Sequence, residues 1–254
     1  MSGSQVSPWL GLFIGKWAKT GLLLVLATTS LAPLAWTYAA GNYSWAVAVS
    51  SDGRYVIAGS DDMHTYFFSA DASDGRPIWS YSGEGYVRHV VISSNGTRAV
   101  AGDTAGGIYF FRHDASGAPV WSYRATSAID ALGMSSDGRY LAAGDRSGAV
   151  YLLDTDSAGS LLWHGSLPGG ILDLSLSESR ALVASSSQGG VYFYDVVRTQ
   201  SGHTWSLLES TSFPQLALLD DASYVIAGGS DGYVYVINST GQSLLCQSPT
   251  VRVA

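Results

Sequence analysis

The chain has 254 residues, 46% of them hydrophobic and only 13% charged, with 30 glycines and 15 tyrosines, a balance that excludes a disordered chain and suits short strands joined by tight turns. Its formal net charge is −7, and its only lysines are Lys16 and Lys19. No basic face is available to displace counterions from phosphates, so nucleic-acid binding is excluded. The single cysteine, Cys246, rules out an intramolecular disulfide and any multi-cysteine metal site.

At the N-terminus, Lys16 and Lys19 precede Gly21-Leu22-Leu23-Leu24-Val25-Leu26-Ala27, and residues 21–40 carry no charge. Basic residues ahead of an apolar run are the layout of a secretory signal or a signal anchor. Residues 1–32 are therefore expected to form a hydrophobic helix that serves as signal peptide or membrane anchor, placing the remainder outside the cytoplasm, membrane-anchored or secreted. Cleavage and retention remain open. The chain has three asparagines, Asn42, Asn95 and Asn238, and each begins an Asn-x-Ser/Thr sequon. They are candidate N-glycosylation sites, although turn asparagines beside turn serines give the same pattern.

From residue 33 onward the chain repeats. Trp36, Trp79, Trp121, Trp163 and Trp205 are spaced by 43, 42, 42 and 42 residues. Four of them sit in similar strands, such as Pro77-Ile78-Trp79-Ser80-Tyr81 and Pro119-Val120-Trp121-Ser122-Tyr123. A turn follows in constant phase: Ser50-Ser51-Asp52-Gly53, Ser93-Ser94-Asn95-Gly96 and Ser135-Ser136-Asp137-Gly138. Ser177-Glu178-Ser179-Arg180 and Asp220-Asp221-Ala222-Ser223 are worn copies. Asp-Gly and Asn-Gly supply the positive φ of hairpin turns. A second turn, as in Gly102-Asp103-Thr104-Ala105-Gly106 and Gly144-Asp145-Arg146-Ser147-Gly148, precedes a strand carrying a tyrosine.

Each period reads as four short strands joined by hairpins, the blade of a β-propeller. A blade cannot bury both faces alone, so blades stack about an axis. The expected fold is all-β, a propeller of four-stranded antiparallel blades over residues 33–254, with blades near 45–85, 86–127, 128–169, 170–212 and 213–248. A partial sixth begins at 249–254, where Val251-Arg252-Val253-Ala254 matches the start of Val87-Arg88-His89-Val90. Residues 33–38 have no blade before them and are a candidate for the strand that completes the last blade. Three arrangements fit: a closed five-blade ring with a tail, an open arc, or a truncated piece of a larger propeller. The last two are preferred, and both leave edges open to self-association.

These repeats resemble the WD40-like and quinoprotein-like (PQQ-like) propeller families, in their exported prokaryotic and archaeal form. Ser69-x-Asp71-x-x-Asp74-Gly75-Arg76-x-x-Trp79 is similar to the tryptophan-docking motif of the quinoprotein blades, and that resemblance implies that each ladder tryptophan packs against a neighbouring blade. No repeat ends in Trp-Asp, and the paired cysteines of quinoprotein dehydrogenases are absent. No cofactor is expected.

Little in the sequence points to chemistry. His64, His89, His113, His164 and His203 show no metal-ligand spacing. Gly228-Gly229-Ser230-Asp231-Gly232 spells a nucleophile-elbow pattern, but in a hairpin slot rather than between strand and helix. Asp154-x-Asp156-x-x-Gly159 lacks the remaining ligands of a calcium loop. Glu84, Arg88 and Arg124 are candidates to face a propeller mouth. The expectation is a non-catalytic propeller that binds a protein or glycan partner or builds a cell-surface assembly. The alternative is a quinoprotein-like enzyme or cofactor-binding propeller with its site in the central funnel.

Overall fold

A computed structural model of the chain describes residues 22–24, 36–114, 116–196, 203–207 and 211–246. Every regular element among them is a strand, and five four-stranded antiparallel sheets make up the body. The first holds Ser44–Val49 (β3), Tyr55–Ser60 (β4), His64–Ser69 (β5) and Trp79–Ser82 (β6), and the second Val87–Ile92 (β7), Arg98–Asp103 (β8), Gly107–Arg112 (β9) and Trp121–Arg124 (β10). The third holds Ile129–Met134 (β11), Tyr140–Asp145 (β12), Ala149–Asp154 (β13) and Ser160–Ser166 (β14), and the fourth Ile171–Leu176 (β15), Ala181–Ser186 (β16), Val191–Asp195 (β17) and Trp205–Leu207 (β18). The fifth holds Gln215–Leu218 (β19), Tyr224–Gly228 (β20), Val234–Asn238 (β21) and Ser243–Cys246 (β22).

The sheets stack radially in chain order, as propeller blades do. Each innermost strand lies on the innermost and second strands of the blade before it: β7 on β3 and β4, β11 on β7 and β8, β15 on β11 and β12, β19 on β15 and β16. The apolar cores are the seams between blades. One seam joins Ile57, Phe67 and Trp79 to Val87, Val90 and Phe111. The next joins Val100, Ile108 and Phe110 to Ile129, Leu141 and Leu153. Among the described residues no extensive contact leads from the fifth blade back to the first.

The sequence period and the sheet are offset by one strand. From the second period on, the tryptophan strand opens its period but forms the outermost strand of the preceding blade, as β6 does beside β5. From there its indole reaches forward. Trp121 stacks on Phe110 of its own blade (5.1 Å, 6°) and donates Nε1–H to the Thr155 carbonyl of the next (3.2 Å). Trp36 donates in the same way to Ala70 (3.2 Å) and Trp205 to Ser239 (3.1 Å). Trp79 lies between Phe67 and Phe111 (4.9 and 4.8 Å), with its indole N–H unpaired. Trp163 meets Tyr194 of the next blade at 4.7 Å.

Two expectations for the N-terminal part need revision or fall outside the described residues. The hydrophobic helix expected over residues 1–32 lies mostly outside them, and the part that is described, Leu22–Leu24 (β1), is a strand. It pairs antiparallel with Thr37–Ala39 (β2), Leu23 opposite Tyr38. Nor does the segment at 33–38 complete the last blade, because β22 already occupies the outer edge of that sheet. Trp36 instead stacks on Phe68 (5.2 Å), and with Tyr38 and Ala40 it covers the outer face of the first blade. The expected partial blade at 249–254 lies outside the described residues.

Candidate interaction surface

The innermost strands share an irregularity that the repeat does not announce. In four of the five, the register against the second strand shifts once, between Ser44 and Ala46, Val87 and His89, Ile129 and Ala131, and Ile171 and Asp173. Each shift is a β-bulge, and the extra residues are Trp45, Arg88, Asp130 and Leu172. A bulge turns its residue away from the ladder, which is why bulges gather at barrel rims and binding sites. Here they set four side chains at the same end of four adjacent innermost strands.

Neighbouring turns hold these side chains in place. Asp61, in the turn between β4 and β5, accepts the Trp45 indole N–H at 2.6 Å and two bonds from the Arg88 guanidinium at 3.1 and 3.2 Å. The Arg88 guanidinium carbon stands 5.0 Å from the Trp45 ring centre and 5.7 Å from that of Tyr86. In the third blade, Arg146 binds Asp130 through two bonds of 3.0 and 2.8 Å. Trp45 is nevertheless 59% exposed, and Tyr43, Met63 and Tyr86 at the same end are exposed as well. Tyr43 is tied to the same turn, its carbonyl accepting from the Asp61 amide. An exposed tryptophan, tyrosines and a methionine around an arginine already held by a carboxylate form a preorganised binding surface.

The turns beneath this surface are built on two carboxylates, Asp62 half-buried and Asp145 buried. Burial pushes the Asp62 carboxyl up, but donors from Tyr66, the His64 amide and the Gly41 amide outweigh it and hold it below its ordinary value. Asp145 behaves in the same way, burial being outweighed by Thr126, Ser147, the Ala149 amide and Tyr151. These ionised groups fix the turns that carry Asp61 and Arg146.

The other residues singled out in the sequence scatter. Of Glu84, Arg88 and Arg124, only Arg88 lies on an innermost strand; Arg124 is on the outermost strand β10, where it pairs with Glu84 at 2.7 Å. The histidines are spread over four blades, and no group of three or more His, Cys, Asp or Glu side chains that could hold a metal ion is present among the described residues. The residues 228–232 form the hairpin between β20 and β21, with Asp231 accepting from Tyr233 and Tyr235. Asp154 and Asp156 bind Arg139 and Arg98. Asn42 and Asn95 lie in turns, and Asn238 ends β21 where the next turn begins. The Asn95 carboxamide oxygen accepts from Ser93 and from the Thr97 amide, as the Asp52 carboxylate does from Ser50 and the Arg54 amide. At Asn238 it accepts from Thr240 and Gln242. At both positions the asparagine side chain closes its own turn.

Sequence reasoning missed Trp45. One signal was present: of the eight tryptophans, Trp45 alone lies within the repeats yet out of phase with the ladder.

Comparison with known families agrees with this architecture. Residues 37–69 match the WD domain, G-beta repeat. Residues 106–248, more than half of the chain, match the family described as outer membrane protein assembly factor BamB. No curated protein matches the chain. With its five stacked blades and a match of that length, the chain belongs to the PQQ-like β-propeller repeat family that carries the BamB description.

Proposed function

We propose that the chain is a non-catalytic interaction propeller that works outside the cytoplasm and holds a protein partner of a cell-envelope assembly on the end carrying Trp45 and Arg88. The observation that carries this reading is the bulge row, which exposes a tryptophan and orients an arginine between two aromatic rings, the residue types that dominate protein interfaces. The envelope setting is supported by the family description, which names outer-membrane protein assembly. It is also supported by Lys16 and Lys19 ahead of the uncharged residues 21–40. That segment directs export and tethers the propeller to the membrane, and Asn42, Asn95 and Asn238 are the positions where a glycan would attach.

The test is cross-linking and co-purification from the native envelope, comparing the parent with Trp45→Ala and Arg88→Ala. A partner retained by the parent should be lost or weakened at least about thirtyfold in each variant, while melting temperatures stay within a few degrees. Retention of the same partners by both variants overturns the reading. The intact mass of the recovered chain reports N-terminal processing and glycans, and recovery of an unprocessed chain from the cytosol defeats the export claim.

A further inference from the structure

Asn95-Gly96 is the one Asn-Gly pair in the chain, since Asn42 precedes Tyr43 and Asn238 precedes Ser239. Asparagine before glycine is the pairing most open to deamidation, because no side chain shields the following amide nitrogen from the carboxamide. The pair sits in the turn between β7 and β8, with Asn95 exposed and Gly96 buried. The closed turn engages both reacting groups. The Gly96 amide donates to the Ser93 carbonyl at 2.9 Å. The Asn95 Oδ1 accepts from Ser93 Oγ, the Thr97 amide and Thr97 Oγ1 at 2.9, 3.0 and 2.7 Å.

The turn is also seated on its neighbours. Gly96 lies so close to Tyr55 of the first blade that an added Cβ would collide with the ring. Through Ser94 the turn joins the turns on either side: the Ser51 amide donates to the Ser94 carbonyl at 2.9 Å, and the Ser94 amide to the Ser136 carbonyl at 2.8 Å. Opening the turn breaks these contacts, which puts a free-energy cost on freeing the Gly96 nitrogen. The first and third blades carry aspartate at the place of Asn95. Asp52 accepts from Ser50 Oγ and the Arg54 amide, and Asp137 from Ser135 Oγ and the Arg139 amide. The same turn therefore closes on a carboxylate.

We propose that Asn95 is a deamidation site gated by the opening of this turn, and that the aspartate so formed closes the turn again. In the opened turn the Gly96 nitrogen attacks Asn95 Cγ. An N–Cγ bond forms, the Cγ–Nδ2 bond breaks, and Nδ2 leaves as ammonia with the proton that the Gly96 nitrogen gives up. Water then opens the five-membered imide at one of its two C–N bonds. Cleavage at Cγ gives aspartate, which restores the contacts that Asp52 and Asp137 make in their own turns. Cleavage at the main-chain carbonyl gives isoaspartate, which adds one carbon to the main chain and does not let Gly96 stay both bonded to Ser93 and seated on Tyr55.

Intact-mass measurement and peptide mapping test the proposal. The full chain is produced without N-glycosylation, because a glycan on Nδ2 blocks the reaction, and is compared with a free peptide of residues 92–99 at the same mildly alkaline pH. The folded chain should convert at least about a hundredfold more slowly than the peptide, with the same initial ratio of aspartate to isoaspartate. Tyr55→Ala removes the seat under Gly96 and should speed conversion at least about tenfold, while circular dichroism shows the fold retained. Thr97→Val takes one donor from the Asn95 carboxamide and leaves the seam intact. It should speed conversion at least about threefold and serves where Tyr55→Ala does not fold. Asn95→Asp should melt within a few degrees of the parent. Conversion of the folded parent at the peptide rate overturns the proposal, because the closed turn would then be reactive. So does an initial product ratio unlike that of the peptide, or folded variants that convert no faster than the parent. An Asn95→Asp variant that melts far below the parent overturns the claim that aspartate closes the turn.

Discussion

Ala222 and Arg180 sit in conformations that suit neither of them. The turn between the first two strands of a blade needs a left-handed residue, and Gly53, Gly96 and Gly138 supply it with φ of 71°, 70° and 74°. In the worn copies Arg180 and Ala222 take the same place, with φ of 65° and 58°, and make the same turn bond back to Ser177 and Leu219. A residue with a Cβ costs about 1–2 kcal/mol there, and glycine gives back about 0.4–1 kcal/mol through the entropy of the unfolded chain. Ala222→Gly should therefore stabilise the protein by about 0.5–1 kcal/mol in urea unfolding. Arg180→Gly should come out near zero, because the guanidinium stands 5.2 Å from the Tyr140 ring and that contact is lost. Equal gains at the two positions would mean that the ring contact contributes nothing.

Between elements, the docking tryptophan and the glycine beneath it act as a pair. Gly159 lies under the indole of Trp121 with φ of 72°, and a Cβ there would stand 2.6 Å from Cε3. Gly53 has nearly the same φ, but an added Cβ meets nothing within 4 Å. Gly53→Ala thus pays only the conformational penalty, about 1 kcal/mol, whereas Gly159→Ala adds a collision at the seam and should destabilise by about 2–4 kcal/mol. Urea midpoints for the two variants, measured side by side, check the difference, and equal losses would show that the indole yields freely. The resemblance implied that the tryptophan packs on a neighbouring blade, whereas Gly159 stood in the sequence only as part of an incomplete calcium-loop pattern, because its positive φ is not written there. The offset between period and sheet was legible in the blade bounds, since blades near 45–85 and 86–127 end with the strands of Trp79 and Trp121. The bulges were hidden. One extra residue in a strand leaves the period intact, so Trp45 reads as an ordinary strand residue until the register against β4 is known.

Across the whole molecule, stability should follow the stacking. In a repeat array each blade is held by its own sheet and by the seams on either side, so a blade with two complete seams outlasts a blade with one. The second and third blades are covered on both faces. The fifth shares one seam, where Phe213, Val225 and Ile237 meet Val183 and Phe193. Its outer strand has Leu244 opposite Val236, where the first, second and fourth blades pair a tryptophan with a phenylalanine. The third strand β21 leaves Val234 open, whereas its counterparts Ile108 and Val150 are fully buried. Native-state hydrogen exchange should therefore rank the blades, with β21 amides exchanging at least about a hundredfold faster than those of β9. The exposed face would then mark where the array begins to open. Identical protection in both strands, tracking one global unfolding step, would instead require the fifth blade to be braced by contacts other than the seam it shares with the fourth.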